Sequence, residues 1–514
     1  MNATSTRDYR SALRAIWERS AYDRGFISNP FAGDGAADLG LRRTAAILDR
    51  LGRPHQRYGV IHVAGSKGKG STSAFIDAML TAAGYRVGRY TQPHLHSMRE
   101  RIAVAGQPID EPDFAGLTRR GLEAVQAVER DRPELGEITA FEMTTAMALA
   151  HFADVGCDLA VVEVGLGGTL DATNVVTPLV SVITALDLEH TAVLGDTLAK
   201  IAAQKAGIVK PGRPVAVSPQ PPDALAVIES VAADQHSPLY VGGRDWHWQG
   251  SWRSFSATGP WGTLQDLTSG LIGTHQIVNA CTAIAATWLL SQDHTRADEE
   301  RSFAGAQDDL GEGRPPFSHP EQSEGPLLSL PKEPLDQPSQ VRLSSRPGST
   351  SRQSLTITEE HIRTGIANAT WPGRFEVVTG HGPRIVLDGA HTPASARALS
   401  EALREDGSVP AVVVLGLLGD KDAGTIGEAL APVTERFIVT APRSPRAASA
   451  AALADHLAAL GLPVQTAPDV ATALSLATSS AGRLETVVVT GSLSTVAEAR
   501  QALGLGIPDP PVGD

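Results

Sequence analysis

The stretch Val60-Ile61-His62-Val63-Ala64-Gly65-Ser66-Lys67-Gly68-Lys69-Gly70-Ser71-Thr72 (60–72) decides how this chain folds. The apolar run from Val60 to Ala64 enters a turn rich in glycine and lysine. A helical pattern then carries Phe75, Ile76, Met79 and Leu80 and is ended by Gly84. Strand, glycine loop and helix in that order describe a phosphate-binding loop. Gly65, Gly68 and Gly70 permit backbone conformations in which successive N–H groups converge on an anion, and the helix N-terminus adds its positive end. Lys69 is placed to neutralise the β and γ phosphates of a nucleotide, and the Ser71 hydroxyl is a hard oxygen donor suited to Mg²⁺. The spacing is shorter than in the commonest phosphate loop.

Outward from this loop, short apolar runs alternate with helical patterns from Tyr58 to about Trp288, the rhythm of parallel strands joined by helices. The runs Val60 to Ala64, Leu159 to Val164 and Val180 to Ala185 are rich in Val and Ile, as expected of mid-sheet strands covered on both faces. A second set occupies Arg384 to Leu387, Ala411 to Leu415, Phe437 to Thr440 and Thr486 to Thr490, with a helical stretch from Ala447 to Leu460. It predicts a smaller α/β domain of parallel-sheet type at the C-terminal end. Between Gln292 and Arg352 the pattern collapses into Pro, Ser, Gly, Gln and Glu, too little apolar surface to offset the entropy of ordering. The expected organisation is therefore residues 1–291 as a nucleotide-binding domain, 292–352 as a disordered insertion and 353–514 as the second α/β domain.

Composition narrows the function. A chain of 514 residues exceeds one core, at roughly 100 to 200 residues per domain. No run of about 18 apolar residues spans a bilayer, so no membrane association is expected. The N-terminus is polar before Tyr9, Leu13, Ile16 and Trp17, without the apolar core of a secretory signal, and with only Cys157 and Cys281 it reads as cytoplasmic. A net charge of -13 argues against sequence-independent nucleic-acid binding, which needs Lys and Arg to displace counterions.

Ligands of open α/β sheets gather at the carboxyl ends of strands. Glu163 closes one apolar run, and a carboxylate there is costly unless paired or bound to a cation, which makes it a Mg²⁺ candidate. An edge-of-core glutamate bonded to nearby N–H groups is the plainer alternative. The next run leads into Asp187-Leu188-Glu189-His190, where His190 is either structural or a metal ligand. Lys205, on a helix ended by Gly207, is by itself a surface lysine.

At this point the chain resembles the folylpolyglutamate and dihydrofolate synthases of the Mur ligase superfamily, from about Leu41 to Trp288 and again from Leu355 nearly to the end. The likeness rests on motifs in family order: Gly65 to Ser71, Pro93-His94-Leu95, Thr139-Ala140-Phe141-Glu142, Glu163 to Asn174, His190 to Gly195, Lys205-Ala206-Gly207-Ile208, His275-Gln276 with Asn279-Ala280, Trp371-Pro372-Gly373-Arg374, and Asp388-Gly389-Ala390-His391. The resemblance implies an α/β fold with an N-terminal phosphate-loop ATPase domain of Mur-ligase type and a smaller Rossmann-like C-terminal domain. It implies ATP and Mg²⁺ as cofactors, and folate or dihydropteroate with L-glutamate as substrates. Ser71, Glu163, His190 and Lys205 become the metal set, with Lys205 carbamylated to an anionic oxygen ligand. ATP would contact Gly65, Gly68, Lys69, Gly70, Ser71, Asn279, Arg374, Asp388 and His391, and the pterin substrate His94, Phe141 and Asp171. Lys69, Lys205, His190 and Arg374 carry catalysis in this reading, and a monomer is expected.

The chain departs from the family at Thr169, where Arg is usual, Thr392 for Asn, Gln204 for Glu and Lys67 for Asn. These bear on substrate affinity more than on ATP use. A peptidoglycan-type Mur ligase and a non-catalytic nucleotide-binding relative are the alternatives. The His94 segment and the Glu163 to Asn174 run favour folates over the first. Joint retention of Ser71, Glu163, His190 and Lys205 argues against the second.

Overall fold

The computed structural model describes residues 3–20, 38–308, 355–380, 382–482 and 485–510. Among them, the first sheet comprises β1 (Gly59–Ala64), β2 (Val87–Tyr90), β3 (Ile102–Val104), β4 (Gln107–Pro108), β5 (Leu159–Glu163), β6 (Val180–Ile183), β7 (Val215–Val217) and β8 (Leu239–Val241). Their order is β4-β3-β2-β5-β1-β6-β7-β8, parallel from β2 to β8, with β3 and β4 added antiparallel at one edge. The three Val- and Ile-rich runs are thus central. They end slightly earlier than expected, at Glu163 and Ile183.

The side-chain alternation of β1 and β5 explains why both could be apolar throughout. Val60, Ala160 and Val162 enter a core on one face with Tyr90, Met143 and Phe152, whereas Ile61, Val63 and Val161 enter another with Phe75, Met79 and Ile284. Tyr9, Leu13 and Ile16 of the helix Ala3–Glu18 pack into the first of these cores.

The alternating pattern read up to Trp288 conceals a second sheet, the antiparallel β9 (His247–Ser251), β10 (Ser254–Gly259) and β11 (Gly262–Leu267). Its apolar positions are sparse because one face is in water. Phe255, Ala257, Leu264 and Leu267 cover the core beside the helix Thr274–Asp308. That helix runs past the expected boundary at 291, so the backbone of 292–308 is helical; the rest of the expected disordered insertion, 309–352, lies outside the described residues.

The third sheet holds β12 (Glu376–Val378), β13 (Arg384–Leu387), β14 (Ala411–Leu415), β15 (Thr434–Val439), β16 (Val464–Thr466) and β17 (Thr486–Thr490), ordered β12-β13-β17-β14-β15-β16. It is parallel except for β12, an antiparallel edge strand outside the expected set. Val413 and Leu415 face one core and Val412 and Val414 the other. The helix expected over 447–460 forms as Ala450–Ala458. No helix among the described residues is long and apolar enough to cross a membrane.

Candidate active site

β1 delivers its chain to the sheet's carboxyl edge at Gly65, whose φ of 146° and lack of a side chain are both required: a Cβ there would fall 1.8 Å from Thr184 Oγ1. Gly68, at φ 86°, starts the helix Lys69–Ala82, and a Cβ on it would fall 2.2 Å from Asn279 Oδ1. Asn279 is held in turn by donating to Gln276 Oε1 at 2.9 Å. The loop is therefore backed by side chains of two other elements and is shaped before any ligand arrives. Lys69 Nζ donates to the Gly65 carbonyl at 2.9 Å, which keeps the ammonium over the loop.

A cavity of about 1580 Å³ opens above it. Its wall brings together Gly68, Lys69, Gly70, Ser71, Phe141, Glu163, His190 and Asn279 with Arg374, Asp388 and His391 from the C-terminal part of the chain. Glu163, buried at the end of β5, accepts from the Gln92 N–H at 3.3 Å. Burial pushes its carboxyl up to about 7, against the opposing pull of Lys69, Gln92 N–H and Arg374. A carboxylate in that state is stabilised by a cation, and the buried Ser71 hydroxyl on the same wall is a second hard oxygen donor, so these residues fit Mg²⁺. His190 is exposed and lies in the left-handed region at φ 48°, ahead of the short helix Thr191–Leu194. No group of three or more His, Cys, Asp or Glu side chains poised for one ion exists among the described residues.

Four expected site residues stand outside the cavity wall: Gly65, His94, Asp171 and Lys205. Lys205 is buried, donating to the Gly65 carbonyl at 2.8 Å and pairing with Glu189 Oε1 at 3.0 Å. Burial and the nearby Lys69 ammonium push its pKa down to about 8, with Glu189 pulling upward. As an ammonium it buttresses the phosphate loop and cannot ligate a metal. Asp171 is also buried and spent locally: it accepts from Leu166 N–H (2.8 Å) and Thr173 N–H (2.9 Å), and Thr173 Oγ1 accepts from His62 Nε2 at 2.8 Å. It sits behind Gly165 together with Phe141 and Gln92. His94 Nδ1 accepts from Arg101 Nε at 2.9 Å, and burial with that guanidinium pushes the imidazole down to about 3. It orders the loop whose Leu95, His96, Glu100 and Arg101 do reach the cavity.

From the C-terminal side, Asp388 binds the N–H groups of Phe375 (2.8 Å) and Ala390 (2.9 Å), fixing the segment that presents Arg374. Arg374 has no carboxylate partner among the described residues. His391 Nδ1–H donates to the Gly389 carbonyl at 2.8 Å, which leaves its other nitrogen as the acceptor of the neutral ring. Two departures have local explanations. Thr392 accepts from Ser395 N–H at 3.2 Å and caps the helix Pro393–Asp406, while Thr169 Oγ1 donates to the Gln204 carbonyl at 3.0 Å and closes its loop. Residues that sequence reasoning passed over are Gln92, Glu189 as the partner of Lys205, Arg101 and Arg500. Trp371 stands out in sequence only as part of a motif, and its ring packs on Gly70, 2.7 Å from where a Cβ would be.

Residues 63–287 match the Mur ligase middle domain, and residues 373–493 match the Mur ligase glutamate ligase domain. The fold and the cavity between its parts are those of a Mur-type ATP-dependent ligase. The chain is 31% identical to the dihydrofolate synthase/folylpolyglutamate synthase of Bacillus subtilis, over 90% of this chain and 95% of that one. It is 31% identical to the Escherichia coli protein of the same name, covering 91% and 92%. A folylpolyglutamate synthase of Mycobacterium tuberculosis, solved with ADP, superposes with a TM-score of 0.75 at 29% identity, covering 97% of this chain and 99% of that one. An Escherichia coli relative solved with DHPP and ADP gives 0.70 at 29% identity, covering 92% and 95%. The chain belongs to the folylpolyglutamate synthase and dihydrofolate synthase family.

Proposed function

We propose that this ligase joins the amine of L-glutamate to the carboxylate of a folate, of dihydropteroate, or of both. The carrying observation is that the glycine loop, Glu163 and Arg374 line one cavity. An acid and an amine do not condense readily in water, so the acceptor carboxylate oxygen first attacks the γ-phosphorus of ATP and ADP leaves. The glutamate nitrogen then attacks the carbonyl carbon of the acyl phosphate, phosphate departs and the ammonium proton passes to solvent. Lys69 from one side and Arg374 from the other stabilise the charge on the transferring phosphoryl group, whose transfer depends chiefly on positioning and electrostatics. Mg²⁺ would be held by Ser71 and Glu163, with His190 nearby, and would supply further neutralisation of the phosphates.

Carbamylation of Lys205 belongs to the same proposal. Its depressed pKa enlarges the neutral fraction that carbon dioxide can modify, and a carbamate beside Glu189 requires a cation to offset the new repulsion. Residues 1–291 would bind nucleotide and pterin, residues 353–514 would close over them to keep water from the acyl phosphate, and the enzyme would act as a cytoplasmic monomer. Purified protein with ATP, Mg²⁺ and glutamate should release phosphate when given tetrahydrofolate or dihydropteroate. Release only with a nucleotide-sugar peptide would assign it to the peptidoglycan-type ligases, and tight ATP binding without release to any acceptor would make it a non-catalytic relative.

A further inference from the structure

The loop that forms one flank of the cavity, residues 95–101, follows β2 of the first sheet and is held both locally and by residues from 500 onward. Locally its shape comes from Glu100, whose carboxylate accepts the N–H groups of Leu95 (2.8 Å), His96 (2.9 Å) and Ser97 (3.0 Å). Arg101 adds its bond to His94 Nδ1 (2.9 Å) and Arg99 Nη1 donates to the Ile109 carbonyl at 3.1 Å; further contacts come from distant parts of the chain. Arg500, on the helix Leu493–Ala502, donates Nε to His96 Nε2 at 3.0 Å and Nη2 to the Leu505 carbonyl at 2.9 Å, and it pairs with Glu376. The other oxygen of Glu376 accepts from Gly373 N–H at 2.8 Å, inside the segment that enters the third sheet. Beyond Leu503 the chain turns back over the loop. Gly506 lies so close to the His96 ring that a Cβ on it would fall 2.3 Å from Nε2. Asp509 donates its N–H to the His96 carbonyl at 3.0 Å and accepts from Met98 N–H at 2.8 Å and from the Tyr9 hydroxyl at 2.5 Å. Leu95 completes the junction by packing, as Leu503 does, against the core that contains Val496.

We propose that residues 503–510, with Arg500 and Asp509, form a strap that positions the 95–101 loop for the carboxylate-bearing acceptor, so that acceptor affinity is set from the other end of the chain. The inference rests on reading this cavity as the shared nucleotide and acceptor site. A loop with a single 3-10 turn, Met98–Arg101, relies on such contacts to keep its place against the cavity, and a loop left to be ordered by its ligand binds that ligand more weakly. The phosphate loop at 65–71 makes none of the contacts named for the strap, so ATP affinity is independent of it.

The test measures KM for acceptor and for ATP in the wild type and in Asp509→Ala, Asp509→Asn and Tyr9→Phe. Asp509→Ala should raise the acceptor KM about 10-fold with ATP KM unchanged, since a lost charge-assisted pair of contacts is of that order. Asp509→Asn, which keeps an oxygen for Met98 N–H, should recover most of it. Unchanged acceptor KM, or an equal rise in both constants, overturns the strap. Should Asp509→Ala not fold, Tyr9→Phe removes only the hydroxyl and should raise the acceptor KM about 3-fold; no change there is equally fatal. Acceptor binding followed by tryptophan fluorescence separates the two readings. Equal acceptor affinity in wild type and variant counts against the strap, whereas binding without turnover in the wild type counts against the ligase reading alone.

Discussion

The loops that follow β1 and β13 both leave the carboxyl end of a parallel strand, yet they are built differently. The first is a backbone cradle locked from behind by Thr184 and Asn279, with Lys69 tethered to its own Gly65 carbonyl. The second spends its acid, Asp388, on backbone N–H groups, and by binding that of Phe375 it fixes the separate segment ahead of β12 that presents Arg374 without a carboxylate partner among the described residues. Nucleotide affinity should therefore reside chiefly in the first loop, and stabilisation of the transferring phosphoryl group should need both.

Lys69→Ala sets the upper end of that contrast. Phosphate release should fall about 1000-fold and nucleotide binding should weaken with it, because a preorganised charge is lost from ground and transition states alike. Arg374→Ala should lower kcat about 100-fold while ATP affinity, read by nucleotide titration, stays within about 3-fold. An equal loss of affinity in both variants would erase the division of labour.

Glu163 sharpens the comparison through pH. Its carboxyl sits at about 7 in the folded chain against an ordinary 4.5, so between those values the folded state holds the extra proton. Stability of the nucleotide-free protein is then greatest at the acid end of that window and declines as pH rises through 7, by up to about 3 kcal/mol. Glu163→Gln should abolish turnover yet raise Tm at pH 8 and flatten the pH dependence in thermal melts. A lower Tm at pH 8 would mean that the contacts of the ionised carboxylate outweigh its burial.

The smallest expected effect ignores the site altogether. Val161→Ala in the first sheet and Val413→Ala in the third each remove two buried methyl groups and should cost about 2 kcal/mol in urea unfolding. A much smaller loss at Val413 would show the third sheet to be the softer part.

What the sequence by itself determined is whatever short-range pattern encodes: the strand, loop and helix around Gly65 to Ser71, the central position of the Val- and Ile-rich runs, and a costly carboxylate at Glu163. These follow from periodicity and local sterics, which neighbours along the chain suffice to express. The antiparallel β9 to β11 escaped because a sheet with one face in water offers few apolar positions. The tertiary structure alone decided the partners that are remote in the chain. Lys205 meets Gly65 across 140 residues, Arg500 meets His96 across 404 and Asp509 meets Tyr9 across 500. A lysine or an aspartate in sequence carries no mark of its future partner, since the pairing is fixed by which strand ends the sheet order brings side by side.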